Sequence, residues 1–290
     1  MRILVTGASG TIGGEVLRQL LAAGHTVRAL TRDPARAGLP AAAEVVAGNL
    51  AEPDTLTGLF TEVDRMFLAP AFALATTAAE VVAAATAAGV RRIVTLSSGA
   101  VVDDEPGVDE ADYHHAAEVT VERAVEAAGV EWTHVRAGEF MANTLDWAQA
   151  IRTTGVVSSP FGKIASGMVH EADIAAVAVA ALTQDGHHGA KYVLTGSELV
   201  TPPEQVAAIA AAIGRELRFE AISPAQARAN WQAQGHDPVF IDWMLGPEDA
   251  PFAESDFAGA AELTDDVERV LGRPAHPYAR WAADHADDFR

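Results

Sequence analysis

The sequence predicts a doubly wound α/β fold: a parallel Rossmann-type sheet with helices on both faces, followed by a smaller C-terminal α/β region on the substrate side. Three observations carry that prediction. The chain opens on a short apolar run, Arg2–Val5, which leads straight into Gly7-Ala8-Ser9-Gly10-Thr11-Ile12-Gly13 and an amphipathic stretch from Gly14 to Ala23. Strand-like and helix-like segments then alternate through the first 135 residues. Finally, 49% of the 290 residues are hydrophobic and only 21% are charged, enough apolar material for one large α/β domain or a main domain with a small companion.

The first 32 residues read as strand, glycine turn, helix, strand, with Gly24-His25 stopping the helix and Thr26–Leu30 opening the second strand. Gly7 lets the chain turn where a Cβ would clash, Gly10 brings the backbone close to a pyrophosphate, and Gly13 lets the first helix lie against the sheet. Ser9, Thr11 and Ile12 join them as candidate cofactor contacts, because unpaired amides at a helix start face phosphate. A glycine triplet alone is equally an ordinary tight turn; its place between two predicted parallel strands makes it a dinucleotide site. The missing Gly-Lys-Ser/Thr argues against an ATP-type loop.

The second strand ends in Leu30-Thr31-Arg32-Asp33-Pro34, with Arg36 nearby. An arginine here suits a ribose 2′-phosphate and an acidic residue a 2′-OH. Arg32 offers a planar donor fork and Thr31 leaves room beside it. Asp33 is either a turn residue ahead of Pro34 or a 2′-OH acceptor. NADP(H) is favoured, with NAD(H) left open.

A third strand over Ala43–Val46 ends near Asn49, which either meets an adenine ring or makes an Asx turn before Glu52-Pro53. A short crossover helix over Asp54–Thr61 follows. The next strand, Asp64–Leu68, ends at Ala69-Pro70, both candidate cofactor contacts. Then come a helix over Ala73–Ala88 and a strand over Arg92–Leu96 closing on Ser97-Ser98-Gly99. A helix from Glu110 to Ala128 leads to strand Trp132–Val135 and a loop from Arg136 to Asn143. Farther on, a helix near Asp173–Leu182, with Asp173 as N-cap, and a strand Tyr192–Leu194 return to the sheet. Pro202–Ile213 reads as a helix stopped by Gly214.

After Arg215 the pattern changes to a short strand, Leu217–Ala221, and a helix, Pro224–Gln234. Trp231, Phe240, Trp243 and Met244 supply large apolar surfaces there, as pocket lining or as core. A tail helix near Asp265–Leu271 precedes a final segment, Tyr278–Phe289. The expected organisation is a Rossmann core over 1–150 and a mixed region over 151–290. That region holds returning elements at about 165–195 and a substrate-side cap mainly over 200–265.

Twenty basic residues against 40 acidic ones give a formal charge of −20, which opposes nucleic-acid backbones and anionic membranes alike. There is no strongly apolar run of 18 residues, and the N-terminus lacks a basic region followed by an apolar signal core. The absence of cysteine excludes disulfides, thiol chemistry and cysteine-ligated metal, and is compatible with a cytoplasmic location. Monomer or homodimer is left open.

With these segments in place, the sequence resembles the NmrA-like branch of the atypical short-chain dehydrogenase/reductase superfamily, including its azoreductase-like and quinone-reductase-like members. The landmarks are Thr6–Gly13, Thr31-Arg32-Asp33-Pro34, Leu96-Ser97-Ser98, Val121-Glu122-Arg123, Ala128–Thr133, Arg136 and Phe140-Met141-Ala142-Asn143. His170–Ala175 and Leu194-Thr195-Gly196-Ser197 extend the match over most of the chain. The resemblance implies a Rossmann domain, a smaller C-terminal substrate region and a cleft between them. It also implies Gly7, Gly10 and Gly13 at the phosphates, Arg32 at the ribose phosphate and Asn49 near adenine. Some members of such families bind cofactor without established turnover.

The superfamily's usual catalytic pair is a tyrosine with a lysine four residues on. Here Tyr113 is followed at that spacing by Ala117, and the only lysines are Lys163 and Lys191. Tyr113 therefore lacks the cation that would lower its pKa. Relatives often carry a basic or imidazole residue one turn before Glu122; Glu118 stands there and is a candidate ribose-hydroxyl acceptor. No catalytic residue is assigned, and Ser98, His115 and Tyr113 are weak candidates. Ser97 or Ser98 ends a central strand where ligand contacts belong, yet no Gly-x-Ser-x-Gly elbow surrounds them.

Arg136, Glu139 and Asn143 orient cofactor or substrate, unless Arg136 forms a buried carboxylate pair that only fixes the loop. His170, Glu171 and Asp173 diverge on a helix, and His187-His188 has no third ligand, so no metal is expected. The expected function is NADPH-dependent reduction of a quinone-like or other small conjugated electrophile, with a small apolar or aromatic acceptor as the partner. The alternatives are an NAD(P)-sensing regulatory protein without turnover and, less so, an NAD-dependent epimerase-like enzyme.

Overall fold

The computed structural model describes residues 1–69, 74, 76–101, 113–253 and 262–290, with main chain alone at 113–116. The chain divides into two compact units. The first comprises Met1–Phe140, Glu171–Thr195 and Thr264–Ala275; the second comprises Met141–His170, Gly196–Leu263 and His276–Arg290.

Strands β1 (Arg2–Val5), β2 (Thr26–Thr31), β3 (Glu44–Ala47), β4 (Arg65–Leu68), β5 (Arg92–Ser98) and β6 (Glu131–Ala137) lie in the first unit. Strand β7 (Val156–Ser159) belongs to the second, β8 (Ala190–Leu194) to the first and β9 (Arg218–Ala221) to the second. The first unit forms a seven-stranded sheet in the order β3-β2-β1-β4-β5-β6-β8, parallel throughout. Helices α1 (Thr11–Ala22), α2 (Ala78–Ala87) and α3 (Tyr113–Glu126) cross over between its strands.

A parallel sheet covered on both faces needs strands that are apolar on both sides. Ile3, Leu4 and Val5 of β1 and Met66, Phe67 and Leu68 of β4 are accordingly all buried. On one face Val81 and Val82 of α2 and Val121 and Val125 of α3 pack on Leu4, Leu68 and Ile93. After the short α4 (Ala148–Thr154) in the second unit, α5 (Glu171–Thr183) returns to the first and is buried nearly all round by its alanines. Its last carbonyls would be orphaned inside the fold. Arg92 donates to Ala181 O at 3.2 Å and also reaches Gln184 O, and Arg65 reaches Leu182 O, so two sheet arginines cap the helix end.

The second unit holds α6 (Pro202–Ile213), α7 (Pro224–Ala233), α8 (Pro238–Leu245) and α10 (Tyr278–Asp284), and the paired strands β7 and β9; α9 (Asp266–Leu271) lies in the first unit. One core joins Met141, Ile151, Ile209, Tyr278, Trp281 and Phe289. A second, smaller one joins Ile241 and Leu245 with partly buried Trp231 and Phe240. Trp243 and Met244 stay 50% and 36% exposed, so the aromatic group splits between core and surface. No helix among the described residues is long and apolar enough to cross a membrane.

Helix α6 runs as its pattern predicts. Thr201 and Glu204 form a capping box, with Thr201 N–H donating to Glu204 Oε2 at 2.8 Å, and Gly214 ends the helix at φ 66°. Other elements differ. The crossover helix expected over Asp54–Thr61 is a single 3-10 turn at Pro53–Leu56, because Gly58 (φ 78°) turns the chain away at once. Strand β6 continues through Arg136 and Ala137, so Arg136 lies in the sheet and not in the following loop. Helix α5 begins at Glu171, so Asp173 is not its N-cap. It is fully buried in the first turn and accepts from Arg273 Nη2 at 2.7 Å. The predicted starts of the second and third helices, at Ala73 and Glu110, fall outside the described residues.

Candidate functional site

The strand order reverses between β1 and β4, and the carboxyl edge at such a switch point is where an open α/β sheet receives ligands. Gly7, Arg32, Asn49, Ala69 and Ser98 all stand at carboxyl ends of these strands. The glycines are demanded by close contact. Gly7 adopts φ 61°, and a Cβ there would meet Ala69 Cβ at 2.9 Å. Gly10 N–H donates to Gly7 O at 2.9 Å and closes the turn. At Gly13 a Cβ would lie 2.2 Å from that same carbonyl oxygen, so only glycine lets α1 approach the loop. Gly7, Ser9, Gly10 and Thr11 are exposed at the mouth, above buried Ile12 and Gly13.

Helix α1 has Gly10 as its N-cap residue, with no side-chain cap and no acidic residue in its first turn. Its positive end and free amides are therefore open to an anion, which is the fit a dinucleotide pyrophosphate requires. Thr6, the first residue of the Thr6–Gly13 landmark, lies directly before Gly7. It is fully buried, donates to Phe67 O at 3.1 Å and accepts from Ala69 N–H at 2.8 Å, tying β1 to the end of β4. Pro70 lies outside the described residues.

At the end of β2, Thr31 is buried and Arg32 is exposed, with no hydrogen bond or ion pair among the described residues. Asp33 makes the turn: its Oδ1 accepts from Ala35 N–H at 3.1 Å. Asn49 does the same after β3, accepting from Ala51 N–H at 3.1 Å while its Nδ2 donates to Glu52 at 2.8 Å. Of the two roles considered for each, the turn is the one these hydrogen bonds form.

Beneath Ser97 and Ser98 lies a buried polar network. Arg136 and Ser97 are register partners on β6 and β5, and His134 and Lys191 are partners on β6 and β8. Arg136 holds Glu122 of α3 by two bonds, Nε to Oε1 at 3.0 Å and Nη2 to Oε2 at 2.7 Å, with both side chains 4% exposed. Burial alone would raise the Glu122 pKa. The Arg136 hydrogen bonds, the charge at His134 and the nearby Ser97 hydroxyl outweigh it and hold the carboxyl below its ordinary value. Lys191 meets Glu126 at 3.0 Å.

Glu122, Glu126 and His134 bring ligand-type atoms within 4.8 Å of one another, but Arg136 and Lys191 already neutralise both carboxylates, and we assign the set as a charge network. His134 was not anticipated; the signal was Trp132, His134 and Arg136 at strand period on one face. Half-buried Glu118 stands one helical turn before Glu122, and Ser98 Oγ accepts from Ala100 N–H at 3.2 Å. The side chains of Tyr113 and His115 lie outside the described residues.

His170 faces Asp284 at 3.6 Å in the second unit, where exposed Asn143 also lies. Glu139 is exposed past the end of β6. His187 Nδ1 pairs with Tyr192 Oη at 2.8 Å, and His188 Nδ1 accepts from Trp132 N–H at 3.2 Å, both in the first unit.

Against known proteins, the profile of the NmrA-like family matches residues 1–234. A (4-alkanoyl-5-oxo-2,5-dihydrofuran-3-yl)methyl phosphate reductase of Streptomyces griseus is 40% identical over 289 residues, covering 99% of each chain. An NAD(P)H azoreductase of Xenophilus azovorans is 36% identical, again over 99% of each. Among solved structures, an NADPH-dependent quinone oxidoreductase of Escherichia coli superposes with a TM-score of 0.75 at 25% identity, covering 98% of this chain and 99% of that one.

Proposed function

This chain belongs to the NmrA-like family and binds NAD(P)H, and from that premise we propose that it is an NADPH-dependent reductase of small conjugated electrophiles. The observation that carries the proposal is the glycine loop packed without room for a Cβ at Gly13, under an uncapped α1 at the switch point of the sheet. In this reading Gly7, Gly10, Gly13 and the first amides of α1 hold the pyrophosphate. Arg32 holds the ribose 2′-phosphate, and Thr31, Ala69 and Ser97 line the nucleoside side. When bound, the reduced nicotinamide supplies hydride.

The acceptor class follows from what α3 lacks. Ala117 stands where a tyrosine-activating lysine would be, so Tyr113 has no cation at that spacing to make it a strong acid for a simple carbonyl. A conjugated acceptor delocalises the incoming charge and takes its proton from solvent or a weak acid. The Streptomyces griseus relative is named for a substrate of that kind, an unsaturated 5-oxo-dihydrofuran bearing an alkanoyl group. Ala117 equally suits a cofactor sensor without turnover, which is the second reading.

The test is NADPH oxidation by purified protein with alkanoyl-dihydrofuranone phosphates, quinones and azo dyes, beside simple ketones. Turnover is expected for conjugated acceptors alone; tight binding with no turnover across the panel hands the site to the sensing role. Arg32→Ala is expected to weaken NADPH by roughly 10–100-fold, the worth of a charged hydrogen-bond pair. NADH should change by less than about 3-fold, since its ribose presents no charge to that fork. Equal losses for the two cofactors would remove Arg32 from the phosphate.

A further inference from the structure

His134 is fully buried at the middle of β6, and neither ring nitrogen has a hydrogen-bond partner. Buried polar atoms left in that state are uncommon and call for a physical explanation. The ring stacks on Trp132 with centroids 4.6 Å apart, and Nε2 points at Glu126 Oε1 from 3.4 Å. That same Oε1 is held by Lys191 at 3.0 Å, at the rim, where the two side chains are 29% and 33% exposed. Two bases of opposite accessibility thus compete for one carboxylate oxygen.

We propose that His134, Glu126 and Lys191 form an acid-sensitive latch between α3 and the β6–β8 edge of the sheet. Near neutral pH, Lys191 holds Glu126 and the imidazole sits neutral against Trp132. On acidification His134 takes up a proton from solvent and pairs with Glu126, and Lys191 is released to water.

The charged groups facing His134 are Glu122 and Glu126 from α3, Arg136 on its own strand and Lys191 on β8; its register partner on β5 is Thr95. With both carboxylates already paired, the set carries no net charge while the ring is neutral. A proton adds one charge, a divalent metal two, so the proton is the cation this burial favours. Burial pushes the His134 pKa below its ordinary value of 6.5; Glu122 and Glu126 oppose the shift, and Lys191 and Arg136 add to it. A depressed histidine contributes stability above the unfolded-state value and loses it as pH falls through 6.5 toward the folded one. The latch therefore opens at the cost of fold stability. Because α3 also carries Glu118 and Glu122, its loosening reaches the cofactor edge.

The chain's two lysines make the test direct. Reductive methylation of wild-type protein, mapped by mass spectrometry, should show Lys191 modified increasingly relative to Lys163 as pH falls from 7.5 to about 5.5. His134→Phe keeps the stack on Trp132 and cannot titrate, so its ratio should stay flat. Its thermal midpoint should also fall less over that range, by about 2–4 °C. If His134→Phe does not fold, titration of the histidine ring protons in the wild type carries the test: the His134 ring, identified by its contact with the Trp132 ring, must take up its proton as the Lys191 ratio rises. A Lys191 ratio independent of pH in the wild type, or equal pH responses in wild type and His134→Phe, overturns the latch. Neither measurement involves a dinucleotide, so the outcome is independent of the proposed activity.

Discussion

Gly13→Ala is expected to abolish useful dinucleotide binding while its neighbour Gly14→Ala leaves binding nearly intact. The two glycines are consecutive on the first turn of α1, yet they meet different atoms. A Cβ on Gly13 would lie 2.2 Å from Gly7 O, 2.6 Å from Gly7 C and 2.9 Å from Thr6 O. All three are backbone atoms of the loop that turns β1 into the helix. None can yield by rotating a side chain, so α1 must move off the loop or the loop must lose its shape.

Overpacking of this kind costs about 3 kcal/mol or more, and most of it falls on the helix start that cradles phosphate. Affinity for NADPH should drop by roughly 100-fold and the thermal midpoint by several degrees, about 6 °C or more. A Cβ on Gly14 instead meets Ala8 O at 3.3 Å, a contact relieved by a few tenths of an ångström. The gain in helix propensity, about 1 kcal/mol, offsets that strain, and NADPH binding should stay within about 3-fold of wild type. Isothermal titration with NADPH, beside circular-dichroism melting, reads both quantities. Equal affinities for the two variants would mean that the pyrophosphate does not sit on this loop.

The glycine loop was legible because its signal is local: each glycine answers a contact within seven residues of itself or a turn at the strand end. The same holds for α6, whose capping box and terminal glycine lie within one stretch of chain. What escaped the sequence is non-local. Asp173 looked like an N-cap because an aspartate before an alanine-rich run suits that position; its real partner, Arg273, is a hundred residues away. Helix α8 is hard to read from sequence because its eight residues are mostly apolar, although Asp237 caps it by accepting from Val239 N–H at 2.7 Å. Strand β7 exists by pairing with β9, and four residues with a Ser-Ser end carry little periodicity of their own. In the candidate site, the sequence raised a carboxylate pair for Arg136 as one alternative, but only the packing of α3 on β6 identifies Glu122 as the partner.

That pair yields the largest stability effect expected here. Arg136→Met removes both donors from a carboxylate that is 4% exposed, leaving a buried charge with no equivalent compensation. Breaking such a pair from one side costs about 3–5 kcal/mol, a large share of what holds an ordinary domain folded.

The pH dependence fixes the cause. In the wild type the Glu122 pKa is depressed. The pair's contribution is therefore present above the ordinary carboxyl value of 4.5 and is lost as pH falls through the folded one. In Arg136→Met the opposing burial prevails and the Glu122 pKa rises. A raised carboxyl stabilises below its unfolded value and loses that contribution as pH climbs through the folded one. The deficit of the variant relative to wild type should accordingly be largest near pH 8 and shrink toward pH 5. A variant destabilised only by lost packing would show a deficit independent of pH.

The double variant Glu122→Leu/Arg136→Met removes both charges and replaces them with apolar volume, so it should recover at least about half of the loss at pH 8. Urea denaturation of Arg136→Met, Glu122→Leu and the double variant at the two pH values completes the cycle. Recovery at pH 8 with little change at pH 5 would place the cost in the orphaned carboxylate, whereas a double variant as unstable as the sum of the singles would show that Glu122 and Arg136 support the fold separately.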